Sequence, residues 1–247
     1  MNTDITLNKG EKIEDLGHGY AIIQNPAYFP FGTDAVLLAD FASMKEGERA
    51  VDLGTGCGII PILMCARTSG IHVTGLEIQQ PLADMAQRSV RLSGLEESID
   101  IVQGDLKCAS LLIKPGLDVV VANPPYEKTG SGKASPNEYL NIAKREVRCT
   151  LRDVIAAAAK LLRTGGRLYL IYRTERFAEL MEVMRFYKVE PKRVMLVSQR
   201  LLDAPNFALV EGRKGAAAGV KFLPPLAVYE ADGTYTKQAK KIYRINS

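Results

Sequence analysis

Val51-Asp52-Leu53-Gly54-Thr55-Gly56-Cys57-Gly58-Ile59-Ile60 runs from a short apolar strand, through glycines at alternate positions, into an apolar helix. Glycine at 54, 56 and 58 lets the backbone turn sharply, adopt positive φ and approach a ligand without Cβ interference. The Gly-x-Gly-x-Gly spacing differs from the Gly-x-Gly-x-x-Gly of dinucleotide-binding loops. Asp52 stands ahead of the loop, where a carboxylate repels a pyrophosphate and suits a cationic group. Outward from this stretch, strands and helices alternate. Strands are expected at 49–53, 71–76, 99–102, 117–122 and 167–172. Helices are expected at 58–68, 80–93, weakly at 106–113, at 151–163 up to Gly165-Gly166, and at 174–186. That rhythm predicts an α/β protein with a parallel sheet between helical layers.

After Pro191 the rhythm breaks. Arg193-Val194-Met195-Leu196-Val197 and Phe207-Ala208-Leu209-Val210 are apolar runs with no helical pattern between them, so they predict an antiparallel hairpin at the sheet edge. Upstream, residues 11–24 read as a β-hairpin around Gly17-His18-Gly19. Thr33 is positioned to cap a helix beginning Asp34-Ala35-Val36-Leu37. The chain is read as one domain: an N-terminal hairpin and helix (1–48), a catalytic core (49–212) and a basic, turn-rich extension (213–247).

The 247 residues are 47% apolar and 24% charged, enough for a large core without disulfide support. Cys57, Cys65, Cys108 and Cys149 form no CxxC pair, which with the unremarkable N-terminus predicts a reducing, cytoplasmic setting. No apolar run approaches membrane-spanning length. Two histidines, His18 and His72, argue against a His-dependent metal site or a Ser-His-Asp triad.

The strand at 117–122 ends in Asn123-Pro124-Pro125-Tyr126. The C-terminal edge of an open α/β sheet is where ligands bind. An amine conjugated to an aromatic ring is a poor nucleophile because its lone pair is delocalised. Two acceptors on its hydrogens draw the nitrogen towards tetrahedral geometry. The Asn123 side-chain oxygen and the Pro124 carbonyl can serve. Pro125 restricts Pro124 to an extended conformation and so aims that carbonyl in advance. Tyr126 can stack on the base plane. At the other strand ends, Glu77 can accept hydrogen bonds from ribose hydroxyls, and Asp105 can accept one from an adenine amine.

In this combination and order, Asp52 with Gly54, Gly56 and Gly58, then Glu77, Asp105 and Asn-Pro-Pro-Tyr resemble the class I S-adenosylmethionine-dependent methyltransferases. The resemblance covers about residues 30–212. It implies a Rossmann-like fold with a seven-stranded, mostly parallel sheet closed by an antiparallel C-terminal hairpin, and S-adenosylmethionine as the methyl donor. Direct transfer to a neutral amine needs positioning and aimed dipoles rather than a strong base.

Enzymes with this turn act on adenine in DNA, on adenine or guanine in RNA, or on glutamine in release factors. The chain shows no target-recognition domain of the DNA type and no N-terminal helical domain of the glutamine type. Tyr28-Phe29-Pro30-Phe31-Gly32-Thr33-Asp34-Ala35-Val36-Leu37-Leu38-Ala39 and Phe207-Ala208-Leu209-Val210-Glu211 are similar to the bacterial tRNA1(Val) adenine N6-methyltransferase family. That resemblance implies methylation of the anticodon-loop adenine beside the anticodon, and places Phe31, Gly32 and Asp34 near the cofactor. Lys128, Lys133, Lys144, Arg145, Arg148 and Arg152 follow the turn, with Gly130-Ser131-Gly132 among them, and more lysines populate the tail. Such a basic loop can hold RNA phosphates around a splayed base. Protein glutamine N5-methylation, rRNA base methylation and a catalytically silent binding module stand as alternatives.

Overall fold

The computed structural model describes residues 5–28, 32–126 and 149–243. The expected N-terminal hairpin is present as β1 (Lys12–Gly17) and β2 (Tyr20–Gln24), paired antiparallel. The main sheet comprises β3 (Arg49–Leu53), β4 (His72–Glu77), β5 (Ile99–Gln103), β6 (Leu117–Ala122), β7 (Leu162–Arg173), β8 (Val189–Arg200), β9 (Phe207–Lys214), β10 (Lys221–Phe222) and β11 (Leu226–Tyr229). The order across it is β8-β9-β7-β6-β3-β4-β5, with β10 and β11 both pairing with β8. Strands β3 to β7 run parallel, and β9 lies antiparallel to both β7 and β8. The seven strands of the expected architecture are therefore all there, and two short strands extend its edge.

Alternation along the central strands divides the core. Val119 and Val121 of β6 with Tyr169 and Ile171 of β7 face one layer, with α1 (Thr33–Phe41), α2 (Ile59–Arg67) and the N-terminal hairpin. Val120 and Ala122 with Leu168, Leu170 and Tyr172 face the other. This second layer holds α5 (Leu151–Leu161), α6 (Phe177–Phe186) and the single turn α4 (Ala109–Leu112). The period of two is what a sheet buried on both faces requires. The amphipathic α3 (Gln80–Leu92) carries the hairpin. Its Ser89 hydroxyl accepts from the Ile23 amide at 2.9 Å, and Ser93 exchanges hydrogen bonds with both backbone groups of Ala21.

Several local expectations are corrected. Helix α5 ends at Leu161 and the chain passes straight into β7, so Gly165-Gly166 does not terminate a helix. Leu162 pairs with Leu117 and Arg167 with Val119, so the glycines sit in a bulge, where Gly165 takes φ +78°. Gly32, not Thr33, occupies the cap of α1, and Thr33 is already helical. Pro191 lies inside β8 at an irregularity in its pairing rather than before the strand. The segment after Gly212 is more than a basic tail. It supplies β10, β11 and α7 (Lys237–Tyr243), and buries Leu226, Val228, Ala239 and Ile242 in the first core layer. Among the described residues no helix is long and apolar enough to cross a membrane.

Candidate functional site

The chain reverses sheet direction at β3, which has β4 on one side and β6 on the other. Leu53 lies in register with Leu76 and with Ala122, so the glycine loop, the end of β4 and the Asn-Pro-Pro-Tyr turn leave the sheet side by side. They line one cavity of about 890 Å³, a volume suited to a cofactor and part of a substrate.

The loop has the geometry its sequence demands. Gly54, Gly56 and Gly58 take φ of +79°, +58° and +91°. The Gly54 and Thr55 amides donate to the Leu76 carbonyl, fastening the loop to β4. A Cβ at Gly54 or Gly56 would meet no atom within 4 Å, whereas one at Gly58 would touch the Ala86 methyl at 3.3 Å. Open space over the first two glycines leaves their backbone accessible to a ligand, and the third permits close packing of α2 on α3.

Glu77 is buried at the end of β4 and lines the cavity. Its Oε2 accepts from the Gly56 amide and its Oε1 from the Gln79 amide, both at 2.9 Å. Burial pushes its carboxyl up, and these amides oppose the shift. A carboxylate has about four acceptor positions, so two amides leave capacity for a ligand's hydroxyls. Asp105 also lines the cavity, and its Oδ1 caps the following turn by accepting from the Lys107 amide at 2.9 Å.

Asp52 stands behind the lining, next to Thr55 and Glu77. It is fully buried and is not among the residues lining the cavity. Strand alternation turns its side chain to the face it shares with Ala50, beneath the loop. Neither carboxylate oxygen reaches a hydrogen-bond partner among the described residues, and the neighbouring Thr55 hydroxyl is likewise unmatched. Burial pushes the Asp52 carboxyl up to about 7; the nearby Thr55 hydroxyl opposes the rise, and the Glu77 charge adds to it.

All four residues of the turn line the cavity. Asn123 Nδ2 donates to Asp34 Oδ2 at 3.0 Å, and the Tyr126 hydroxyl meets the same oxygen at 2.8 Å. That hydroxyl also contacts Asn123 Oδ1. The Tyr126 ring packs against Tyr172 and Phe207, with the Arg173 guanidinium 5.5 Å from its centroid. Arg176 donates to its carbonyl at 3.2 Å. Burial and the Asp34 carboxylate raise the Tyr126 hydroxyl well above the usual tyrosine range. In this conformation Tyr126 is part of the wall.

Gly32 and Asp34, expected near the cofactor, do line the cavity, and Asp34 also joins the turn. Phe31, Lys128, Lys133, Lys144, Arg145 and Arg148 lie outside the described residues. Arg152 stacks on Phe186 at 5.0 Å, and Lys214 donates to the Leu162 carbonyl. Sequence reasoning missed Arg173, Glu175 and Arg176, which enter the cavity wall from the end of β7. The signal was available: they follow a parallel strand at the ligand-binding edge.

Residues 29–191 match the family model described as the methyltransferase small domain. The chain is 29% identical over 247 residues to a Porphyromonas gingivalis protein named tRNA1(Val) (adenine(37)-N6)-methyltransferase, covering 96% of this chain and 92% of that one. A Histophilus somni protein of the same name is 30% identical over 62% of this chain and 64% of its own length. Among solved structures, a predicted O-methyltransferase from Agrobacterium tumefaciens superposes with a TM-score of 0.70 at 24% identity, covering 85% of this chain and 95% of that one. A geranyl diphosphate C-methyltransferase from Streptomyces coelicolor, solved with S-adenosyl-L-homocysteine, superposes at 0.52 with 14% identity over 74% and 80% of the two chains. These two share the fold. With its glycine loop and its ligand cavity at the switch point of the sheet, the chain belongs to the methyltransferase small domain family and is an S-adenosylmethionine-dependent methyltransferase.

Proposed function

We propose that the enzyme methylates the exocyclic N6 of an adenine in tRNA, and that its substrate is the anticodon-loop adenine of tRNA1(Val). The observation that carries the amine reading is the shared cavity. The Asn-Pro-Pro-Tyr turn leaves β6 one strand away from the glycine loop of β3, with Ala122 and Leu53 in register. The relatives named tRNA1(Val) (adenine(37)-N6)-methyltransferase support the choice of RNA, the Porphyromonas gingivalis one over nearly the whole chain.

The residues fit S-adenosylmethionine. The open backbone at Gly54 and Gly56 would cradle its amino-acid end, Glu77 its ribose hydroxyls and Asp105 its adenine amine. When bound, it supplies an electrophilic methyl on a sulfonium. The chain's own groups act on the acceptor. Asn123 Oδ1 and the Pro124 carbonyl accept the two hydrogens of the adenine amine and localise its lone pair. Tyr126 stacks on the base once its ring turns out from the wall. The basic residues between 128 and 148 hold the flanking phosphates, positioning the RNA without reading its sequence. No strong general base is called for, because the methylated amine loses its surplus proton readily.

The test is methyl transfer from labelled cofactor into purified unmodified tRNA, with a release factor as competing acceptor. Label is expected in tRNA at an N6-methyladenosine; label in the release factor alone would refute the RNA reading. Asn123→Ala should lower turnover by at least about a hundredfold while cofactor affinity stays within about twofold of wild type.

A further inference from the structure

We propose that Asp34 is a positioning residue that fixes the Asn123 amide with its oxygen, not its NH2, turned to the substrate amine. This rests on Asn123 being the amine acceptor described above.

A primary amide is nearly symmetric in shape but not in chemistry: one end accepts and the other donates. With the NH2 turned to the substrate, Asn123 would oppose its donors to the donors of the adenine amine, and the turn would fail. Something must choose between two orientations that packing alone does not distinguish. Asp34 does so because a carboxylate only accepts. Its Oδ2 faces Asn123 Nδ2 at 3.0 Å. The flipped amide would bring two acceptor oxygens together at that distance, exchanging a charge-assisted hydrogen bond for repulsion.

The surroundings hold Asp34 to this task. It is 7% exposed. Its Oδ1 accepts from the Ala35 amide at 3.0 Å, so the carboxylate is anchored at one oxygen and presents the other. It stands in the first turn of α1, where unpaired backbone amides favour a negative charge. The Tyr126 hydroxyl lies against the same Oδ2 and against Asn123 Oδ1. Able to donate or accept, it does not itself choose the amide's orientation, and the substrate amine takes its place at Oδ1 once the Tyr126 ring turns out. Gly32 completes the arrangement: a Cβ there would lie 2.4 Å from Asp34 Oδ1. A side chain at 32 would therefore push the Asp34 carboxylate out of this position. The adjacency of Gly32 and Asp34 to the cofactor cavity conceals a second task, directed at the acceptor side of the reaction.

The test uses Asp34→Asn, Gly32→Ala and the exchange Asp34→Asn with Asn123→Asp, assayed on unmodified tRNA for kcat and KM, and by calorimetry for cofactor Kd. In Asp34→Asn, residue 34 pairs with either end of the Asn123 amide, so kcat should fall by about tenfold or more, with cofactor Kd within about twofold. Gly32→Ala keeps both side chains but displaces the carboxylate, and kcat should fall in the same direction. The exchange restores a donor at 34 facing an acceptor at 123, and aspartate presents an acceptor whichever way it rotates. Its kcat should therefore exceed that of Asp34→Asn, a rescue that a purely structural or cofactor-binding Asp34 would not give. Wild-type kcat in Asp34→Asn, a loss accounted for by cofactor Kd, or an exchange no faster than the single variant would each overturn the proposal. If Asn123→Ala itself retains turnover, the amine-acceptor reading falls first; if it is inactive while Asp34→Asn is unimpaired, only the positioning role falls.

Discussion

Replacing Asp52 by Asn should flatten the pH dependence of stability of the cofactor-free enzyme. Asp52 is fully buried, and neither oxygen has a hydrogen-bond partner among the described residues. Its carboxyl is pushed from an ordinary 3.8 up to about 7 in the folded chain, chiefly by burial. Between those values the folded protein retains a proton that the unfolded chain releases. Stability contributed by the protonated group is therefore complete below the unfolded value. It is lost as pH rises, and gone above the folded value. Between about pH 5 and about pH 8 the span crossed is roughly two units, or ~3 kcal/mol at 1.36 kcal/mol per unit. For a chain of this size 1 kcal/mol moves the melting midpoint by about 2–4 °C, so the effect is roughly 6–12 °C. Scanning calorimetry of wild type and Asp52→Asn at both pH values measures it. Other titrating groups act on both proteins and largely cancel in the difference. The variant's midpoint should gain on wild type by that amount from the lower to the higher pH, whatever the fixed cost of the amide. A difference between the two proteins that is the same at both pH values would refute the account of Asp52 as a buried, protonated carboxyl.

Further outcomes follow from the same geometry. Gly58→Ala places a side chain at φ +91° and 3.3 Å from the Ala86 methyl. It should cost about 1–3 kcal/mol in urea unfolding and weaken cofactor binding in calorimetry. Ser89→Ala removes the hydroxyl that accepts from the buried Ile23 amide, so stability should fall by about 1–3 kcal/mol, with faster hydrogen exchange at that amide. Raising salt from about 50 to about 200 mM should weaken tRNA binding by at least tenfold and leave cofactor binding nearly unchanged. A flat response in filter binding would count against the basic residues between 128 and 148.

Much of this architecture is written locally. A strand that alternates apolar side chains, as Val119 to Ala122 does, needs cover on both faces, and a helix must return the chain to the next parallel strand. Gly54, Gly56 and Gly58 announce a turn that other residues enter only with strain. The two prolines fix the backbone after Asn123 before any tertiary contact forms. What failed at this level has a common cause. Strands β10 and β11 are two and four residues long, too short to carry a period, and become strands by pairing with β8. Gly165 reads as a helix stop in isolation, yet the pairing of β7 with β6 makes it a bulge.

The longer strands, the glycine loop and the turn are legible locally, because each is specified by residues within about ten positions of one another. The surroundings of the acidic residues come from the packed fold instead. Asp52 sits beside the glycine loop in sequence, but strand alternation buries it fully behind the cavity lining, next to Thr55 and Glu77. Asp34 stands 89 residues from Asn123, and folding brings its carboxylate within hydrogen-bond distance of the amide. A side chain's charge is a property of the residue; which group it faces, and how much water it keeps, are properties of the packed chain.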